Sequence, residues 1–322
     1  MATKKILQLP AIQGIAASSA AGTTGIFDLP LNYRYNRIDI IYIDTNATGA
    51  NVPDIAYDHE VQFGTSTGIL GDIVLNRNGK AQRVHAANEL DALNTLNGSQ
   101  YGRGALKNVV NSSTRQVLPI FFAEPWRKDK ADTDYMAWSA NAANGFATFQ
   151  LKITLANAMP ATGSLAAIAY VDDPLPPPSG GAQSVKKVYR HDLSAGGAAN
   201  DFANVLDARD AYQLIYLKNP TGTYVQKVTL KMNGVLFRDA INNRDNIGAR
   251  VSTGMNPPAI TGSTPGAQAE TALNFGYPIV FDYDDPLNSA LPAPVSPWLH
   301  VDYAGTATTT VRALIERLGP LD

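Results

Sequence analysis

Four prolines in five positions, Pro174-Leu175-Pro176-Pro177-Pro178, run into Ser179-Gly180-Gly181 and decide what this chain can become. No helix and no sheet interior tolerates such a run, because each proline fixes its φ and lacks a backbone N–H. Successive prolines favour stiff, extended backbone, and the glycines after them free the chain to turn. The run therefore reads as a linker. About 170 residues precede it and about 140 follow, each an ordinary single-domain length.

The two sides echo each other. Leu75-Asn76-Arg77-Asn78-Gly79-Lys80-Ala81-Gln82-Arg83, with Asn88 beyond, matches Leu230-Lys231-Met232-Asn233-Gly234-Val235-Leu236-Phe237-Arg238, with Asn243 beyond. Leu, Asn, Gly, Arg and Asn recur at one offset, and Asn-Gly after an apolar run is a strong hairpin signal. Ile40 to Ile43 resembles Leu214 to Leu217, Pro119 to Phe122 resembles Pro278 to Phe281, and Leu151 to Ile153 resembles Leu299 to Val301. Each echo is generic alone, but four in one order around a linker indicate a duplicated domain.

Short strands dominate both sides. Phe149, Leu151, Ile153 and Leu155 alternate at two-residue steps, as a half-buried strand requires. Other strands are expected at Arg37–Asp44, Glu60–Phe63, Ile69–Leu75, Gln116–Ala123 and Leu165–Val171. In the second half they are expected at Tyr212–Lys218, Gln226–Met232, Pro278–Asp282, Trp298–Tyr303 and Thr309–Ile315. Val84, Ala87, Leu90, Leu93 and Leu96 fall at three-residue steps, which predicts an amphipathic helix over Gln82–Leu96 stopped by Asn97-Gly98. Residues 1–26 carry Lys4, Lys5 and a small-residue tract and read as an N-terminal arm. The expected plan is an all-β chain: arm 1–26, a first jelly roll 27–173 with a short helix, a linker 174–184, and a second jelly roll 185–322, each roll of eight strands. Ser252 to Ala269, rich in Gly, Pro, Ser and Thr, reads as a long surface loop.

The residues argue against several functions. Net charge is −2 with Lys and Arg scattered, so no basic stripe marks direct nucleic-acid binding. With no cysteine there is neither a disulfide framework nor a thiolate metal site. Gly64-Thr65-Ser66-Thr67-Gly68 has the nucleophile-elbow pattern, but a strand follows Ser66 where the elbow needs a helix, and a hairpin loop is the better account. His59, His85, His191 and His300 show no metal-site spacing and read as turn or surface residues. Trp126, Trp138 and Trp298 offer sugar-stacking platforms or, more ordinarily, core and interface residues. The sharpest acidic group is Asp282, Asp284 and Asp285, whose hard oxygens suit Ca²⁺; the plainer account is a solvated strand end running into Pro286. No enzymatic activity and no required cofactor are expected, with Ca²⁺ the one candidate.

Phe27-Asp28-Leu29-Pro30, Ile40 to Ile43, the Asn78-Gly79 and Asn233-Gly234 hairpins, the linker Pro174 to Gly181, and Tyr277-Pro278-Ile279-Val280-Phe281 together give a layout that resembles the double jelly-roll major capsid proteins of tailless icosahedral bacteriophages with an internal membrane. The nearest type is the corticoviruses, with tectiviruses more distant. The resemblance implies a homotrimer of pseudo-hexagonal outline that tiles a virion shell beside neighbouring capsid trimers, vertex (penton) proteins and minor capsid proteins. The arm, carrying Lys4 and Lys5, is expected to touch a neighbouring subunit or the anionic lipid of the internal membrane, and Ca²⁺ is associated with the corticovirus type. The alternative from another class is a receptor- or carbohydrate-binding β-sandwich spike or fibre protein.

Overall fold

A computed structural model of the chain describes residues 4–46, 55–56, 68–97, 108–110, 113–125, 136–176, 184–193, 197–203, 211–218, 225–232, 234–241, 276–280, 297–307 and 311–322. They fall into two compact units. The first comprises 1–58, 65–186 and 320–322, and the bulk of the second is 187–319.

The first unit is built from β1 (Lys5–Gln8), β2 (Thr24–Asp28), β3 (Tyr33–Asp44), β4 (Leu70–Arg77), β5 (Lys80–Ala86), α1 (Ala87–Asn97), β6 (Asn108–Val110), β7 (Ser113–Phe121), β8 (Trp138–Ala140), β9 (Phe149–Leu155) and β10 (Gly163–Asp172). One sheet runs β1–β10–β3–β7–β6, with β8 paired to the start of β3; in the other layer β5, β4, β9 and β2 lie side by side. Alternate residues face inward. Ile38, Ile40, Leu118, Ile120, Ala167 and Ala169 from the first sheet meet Phe27, Ile73, Leu75, Leu151 and Ile153 from the second in one core. Each such side chain contributes about 1.5–3 kcal/mol on burial, less for the alanines.

The second unit comprises β11 (Ser184–Leu193), β12 (Gly197–Ala203), β13 (Ala211–Lys218), β14 (Val225–Met232), β15 (Val235–Ile241), β16 (Gly276–Val280), β17 (Pro297–Ala307) and β18 (Val311–Pro320). Its strands run β16–β13–β18–β11 and β12–β17–β14–β15.

Setting aside the two short strands β6 and β8, both units have the same order. The first, eighth, third and sixth strands form one sheet, and the second, seventh, fourth and fifth form the other. That is the jelly roll. All four sequence echoes fall on equivalent strands: Ile40–Ile43 and Leu214–Leu217 on the third, the two Asn-Gly turns between the fourth and fifth, Pro119 and Pro278 on the sixth, Leu151–Ile153 and Leu299–Val301 on the seventh.

Several expectations are corrected. The stretch expected as a detached arm is part of the first jelly roll. β1 pairs with β10 from Lys5↔Val171 to Gln8↔Ile168, and Leu9 and Ile15 are buried in the core. Without β1 the first sheet would lack its first strand. A four-residue strand with exposed side chains carries no periodic signal; it exists because β10 offers it a ladder of backbone bonds. The helix begins five residues later than expected. Gln82 to Ala86 instead continue β5 beside β4, with Val84 opposite Val74. The helix then starts where Glu89 accepts a hydrogen bond from the Ala86 N–H at 2.7 Å, half of a capping box. His85, expected at a turn or surface, is buried in β5. Pro174 and Leu175 leave β10 tacked to the first unit: the Leu175 N–H donates to Ser139 Oγ at 3.1 Å, and its carbonyl accepts from Asn144 Nδ2 at 3.0 Å.

Candidate functional site

Asn78-Gly79 turns β4 back into β5, with both residues at positive φ (+51° and +79°), the pairing that fits a two-residue hairpin turn. Around it the first unit is sewn together. Asn78 Oδ1 accepts from the N–H groups of Ala147 and Thr148 at 2.8 and 3.0 Å, and Asn78 Nδ2 donates to the Gly145 carbonyl at 2.8 Å. The Arg77 guanidinium donates to oxygens of Asn144, Gly145, Leu321 and Asp322 at 2.9–3.1 Å. Gly145 is required here: it sits at φ +74°, and a β-carbon would run into that guanidinium. Burial lowers the pKa of Arg77, and the Asp322 charge opposes the shift.

One strand further in, Arg83 is buried. Its Nη1 donates to the Phe121 carbonyl at 2.6 Å and its Nε to the Lys186 carbonyl at 3.0 Å. The guanidinium lies 4.9 Å from the Phe122 ring and 5.0 Å from Trp138. Those rings continue into Phe149 and Tyr35 by edge-to-face contacts. Lys186 forms a buried ion pair with Glu124. This end of the first jelly roll is thus held by side chains, not only by sheet ladders.

Beside it lies a pocket of about 440 Å³. Its floor follows one cross-strand row, Ile6↔Tyr170↔Arg37↔Phe121, set by the register of β1, β10, β3 and β7. Ala123, Pro125 and Val171 complete an apolar wall, and Lys4, Lys5, Asn36 and Asp172 rim it. Arg37 lies 3.9 Å over the Tyr170 ring and donates to Asp39 at 3.0 Å. Burial pushes the Asp39 carboxyl up, against the pull of Arg37. Lys5 is held by Asp173 at 2.8 Å.

The sheet faces differ in chemistry. On the β10–β3–β7 sheet the residues opposite the core include half-exposed Ala166, Ile168, Tyr170, Ile41, Ile43, Val117 and Pro119, interleaved with Arg37, Asp39 and Arg115. On the β12–β17–β14 sheet that face carries Asp201, Trp298, His300, Asp302, Lys227, Thr229 and Lys231. There His300 Nδ1 meets Asp201 at 2.7 Å and Nε2 meets Asp302 at 3.0 Å. Partial burial disfavours the imidazolium, but the two carboxylates outweigh it and the His300 pKa is raised. His300 also stacks on Trp298, whose ring lies 4.7 Å from the Lys231 ammonium.

Of the residues singled out in the sequence, His59, Ser66, Trp126, Asp282, Asp284 and Asp285 lie outside the described residues. Trp138 is wholly buried, which removes it as a sugar platform. Among the described residues, His85, His191 and His300 are not brought together. His300 has partners that sequence reading missed, because Asp201 is 99 residues away and only the pairing of β12 with β17 unites them. Arg77, Arg83 and the pocket row were also missed; the repeated Asn-Gly motif flanks the two arginines, while the row depends on strand register alone. Among the described residues no group of three or more His, Asp or Glu is placed to hold a metal ion, and no helix is long and apolar enough to cross a membrane.

Comparison with known proteins places this architecture. Residues 6–172 match the family model of the viral coat protein P2 N-terminal domain. No curated protein matches the chain. Among solved structures, the chain is similar to the major capsid protein P2 of bacteriophage PM2, with 16% identity, a TM-score of 0.68, and coverage of 99% of this chain and 98% of that one. It is also similar to the STIV major capsid protein (11%, 0.63, 98% and 96%) and to a quasi-atomic capsid structure of PBCV-1 virus (12%, 0.60, 99% and 94%). These likenesses show the double jelly-roll fold. With just over half its residues matched to the family model, and the match beginning inside β1, this chain belongs to the family of viral coat proteins with a P2 N-terminal domain, and its place is the capsid of a virion.

Proposed function

We propose that three copies of this chain close into a ring of pseudo-hexagonal outline, and that such trimers tile an icosahedral shell around an internal membrane. The observation that carries this reading is the shared strand order of the two units: three chains supply six lobes built to one plan. A ring of this kind needs heterologous contacts that close by a threefold rotation, first jelly roll against a neighbour's second. The half-exposed apolar residues Ala166, Ile168, Ile41, Ile43, Val117 and Pro119 on the outer face of β10, β3 and β7 support burial against a neighbour. An obligate contact of this kind buries on the order of 2,000 Å².

Neighbouring trimers, vertex proteins and minor capsid proteins complete the shell in this reading. For the membrane side, the N-terminal segment offers Lys4 beside exposed Ile6, a basic residue near an anionic surface being worth about 1 kcal/mol. Asp282, Asp284 and Asp285 are proposed Ca²⁺ ligands, to be checked by terbium luminescence on the chain and on its triple Asn variant. The spike or fibre reading has no observation in its favour. Electron microscopy of the purified chain tests the proposal: six-lobed particles and their sheets or shells are expected, and uniformly two-lobed particles that never associate would refute it.

A further inference from the structure

Two cations that line the pocket of the first jelly roll already have carboxylate partners, Lys5 on Asp173 at 2.8 Å and Arg37 on Asp39 at 2.9 Å. Asp172 differs. It lines the same pocket, is only 3% exposed, and takes one hydrogen bond, from Asn36 Nδ2 to its Oδ2 at 2.8 Å. Asp172 Oδ1 is buried without a hydrogen-bond partner, and so is Asn36 Oδ1. Turning the amide over does not help, because its oxygen would then face the carboxylate. A buried carboxylate oxygen without a donor costs free energy, and two orphan acceptors on one pocket wall point to a missing donor.

The two orphan oxygens sit on a fixed frame. The Asn36 carbonyl accepts from the N–H groups of Phe122 and Ala123 at 2.9 and 3.0 Å, which ties β3 to the chain leaving β7. Asp172 ends β10 and is joined to Asn36 by the bond above, so both acceptors belong to one site. Away from them the lining is apolar: Ile6, Ala123, Pro125 and Val171. Arg37 already covers the Tyr170 ring at 3.9 Å, so this apolar wall, and not the space between the aromatic rings, is open to a guest. A volume of about 440 Å³ suits a small molecule.

We propose that this pocket binds a small amphiphilic amine, with its ammonium head on Asp172 Oδ1 and Asn36 Oδ1 and its apolar body along Ile6, Ala123 and Pro125. Both free atoms accept and neither donates, so the head has to donate. An ammonium brings three N–H donors, and a charged donor bonds an ionised oxygen more strongly than a neutral one does. A bare metal ion is a poorer occupant: hard cations take six or more oxygens, and among the described residues no group of three or more His, Asp or Glu is placed to hold one. A lipid ethanolamine head is poorer too, because its ammonium is followed by a phosphate and not by an apolar chain. Lys5 and Arg37 are engaged and Lys4 stands exposed, so the head comes from outside the chain. The assignment does not rest on the coat-trimer reading.

Calorimetric titration of the purified full chain with hexylammonium tests this, beside hexanol and hexanoate, which carry the same body on a different head. The expected result is one hexylammonium per chain, held about tenfold or more tighter than hexanol, and no binding of hexanoate. Asp172→Asn keeps the shape and removes the charge. It is expected to weaken hexylammonium about tenfold or more, the loss of one charged hydrogen bond, while its circular dichroism stays that of the wild type. Should that chain fail to fold, Ile6→Lys alters a side chain that is 68% exposed, and a cation at the border is expected to weaken the same probe several-fold. Equal binding of hexanol and hexylammonium overturns the proposal, since the pocket would then be an apolar cleft alone. So does undiminished binding in Asp172→Asn or, in its place, Ile6→Lys. So does a wild type that takes up no hexylammonium at millimolar concentration, which would leave the two oxygens to water.

Discussion

The same hairpin occurs twice in this chain and serves two ends. In the first jelly roll, the Asn78-Gly79 turn is locked inward: Asn78 satisfies three backbone groups of residues 145–148, and Arg77 gathers four more oxygens. In the second, Gly234 at φ +77° makes the corresponding turn, yet the residues after it point Val235 and Leu236 into solvent. Both units keep a glycine at positive φ in this turn, Gly79 and Gly234, while the side chains that follow it differ. One copy of the hairpin stabilises its own domain. The other leaves two apolar side chains in solvent.

Side-chain truncations around the first hairpin are expected to cost stability, and truncation of Val235 or Leu236 is expected to leave it nearly unchanged. The largest stability effect is expected at Arg83→Ala. It strips two buried carbonyls of their donor and hollows the space beneath Phe122 and Trp138, for a loss of about 3 kcal/mol in urea unfolding followed by tryptophan fluorescence. Arg77→Ala is expected to cost about 2 kcal/mol, because its four acceptors lie at a partly exposed site where water replaces some of the bonds. Neither change should weaken association of the folded chain; a loss of association at unchanged stability would break the comparison.

The next test asks where the hairpins should behave alike. Gly79→Ala and Gly234→Ala each place a β-carbon at positive φ in open space, with nothing within 4 Å. The cost is then backbone strain alone, about 1 kcal/mol in either unit. A difference of more than about 1 kcal/mol between the two would show that the turns are not equivalent.

The smallest effect concerns pH. His300 has a raised pKa against its ordinary value of 6.5, so its bonds to Asp201 and Asp302 contribute stability that is full below 6.5 and is lost as pH rises through the raised folded value. Solvent screening limits the contribution to a fraction of a kcal/mol. His300→Gln should flatten the stability profile over that window and leave the acid side to carboxylates such as Asp44. Burial opposes the Asp44 charge, but bonds from Thr162, Asn46 and Tyr42 prevail and lower its pKa. Its contribution is therefore present above 3.8 and is lost as pH falls through the lower folded value. An unchanged profile in His300→Gln would show that the histidine is not linked to folding.

Much of the architecture was legible because it is written in short-range signals. Strict alternation announced β9, an Asn-Gly dipeptide announced each hairpin, and a proline run announced the division into two. What was not legible depends on distant pairing. β1 is four residues long with an exposed pattern, and only β10, more than 150 residues on, makes it a strand. β12 is built from small and polar residues that no propensity would mark, and it is fixed by β17. Gln82 to Ala86 satisfied a helical spacing, but the turn at Asn78-Gly79 had already committed them to a ladder with β4. The pocket belongs to the same class: Ile6, Tyr170, Arg37 and Phe121 form a row only through the register of four strands.

If two jelly rolls of one chain make a third of a closed ring, the mass of the purified protein in solution shows it most directly. A single species of three times the 34.4 kDa chain mass is expected at micromolar concentration, persisting on dilution because obligate contacts hold it. A stable 34.4 kDa monomer under the same conditions, with or without Ca²⁺, would contradict it.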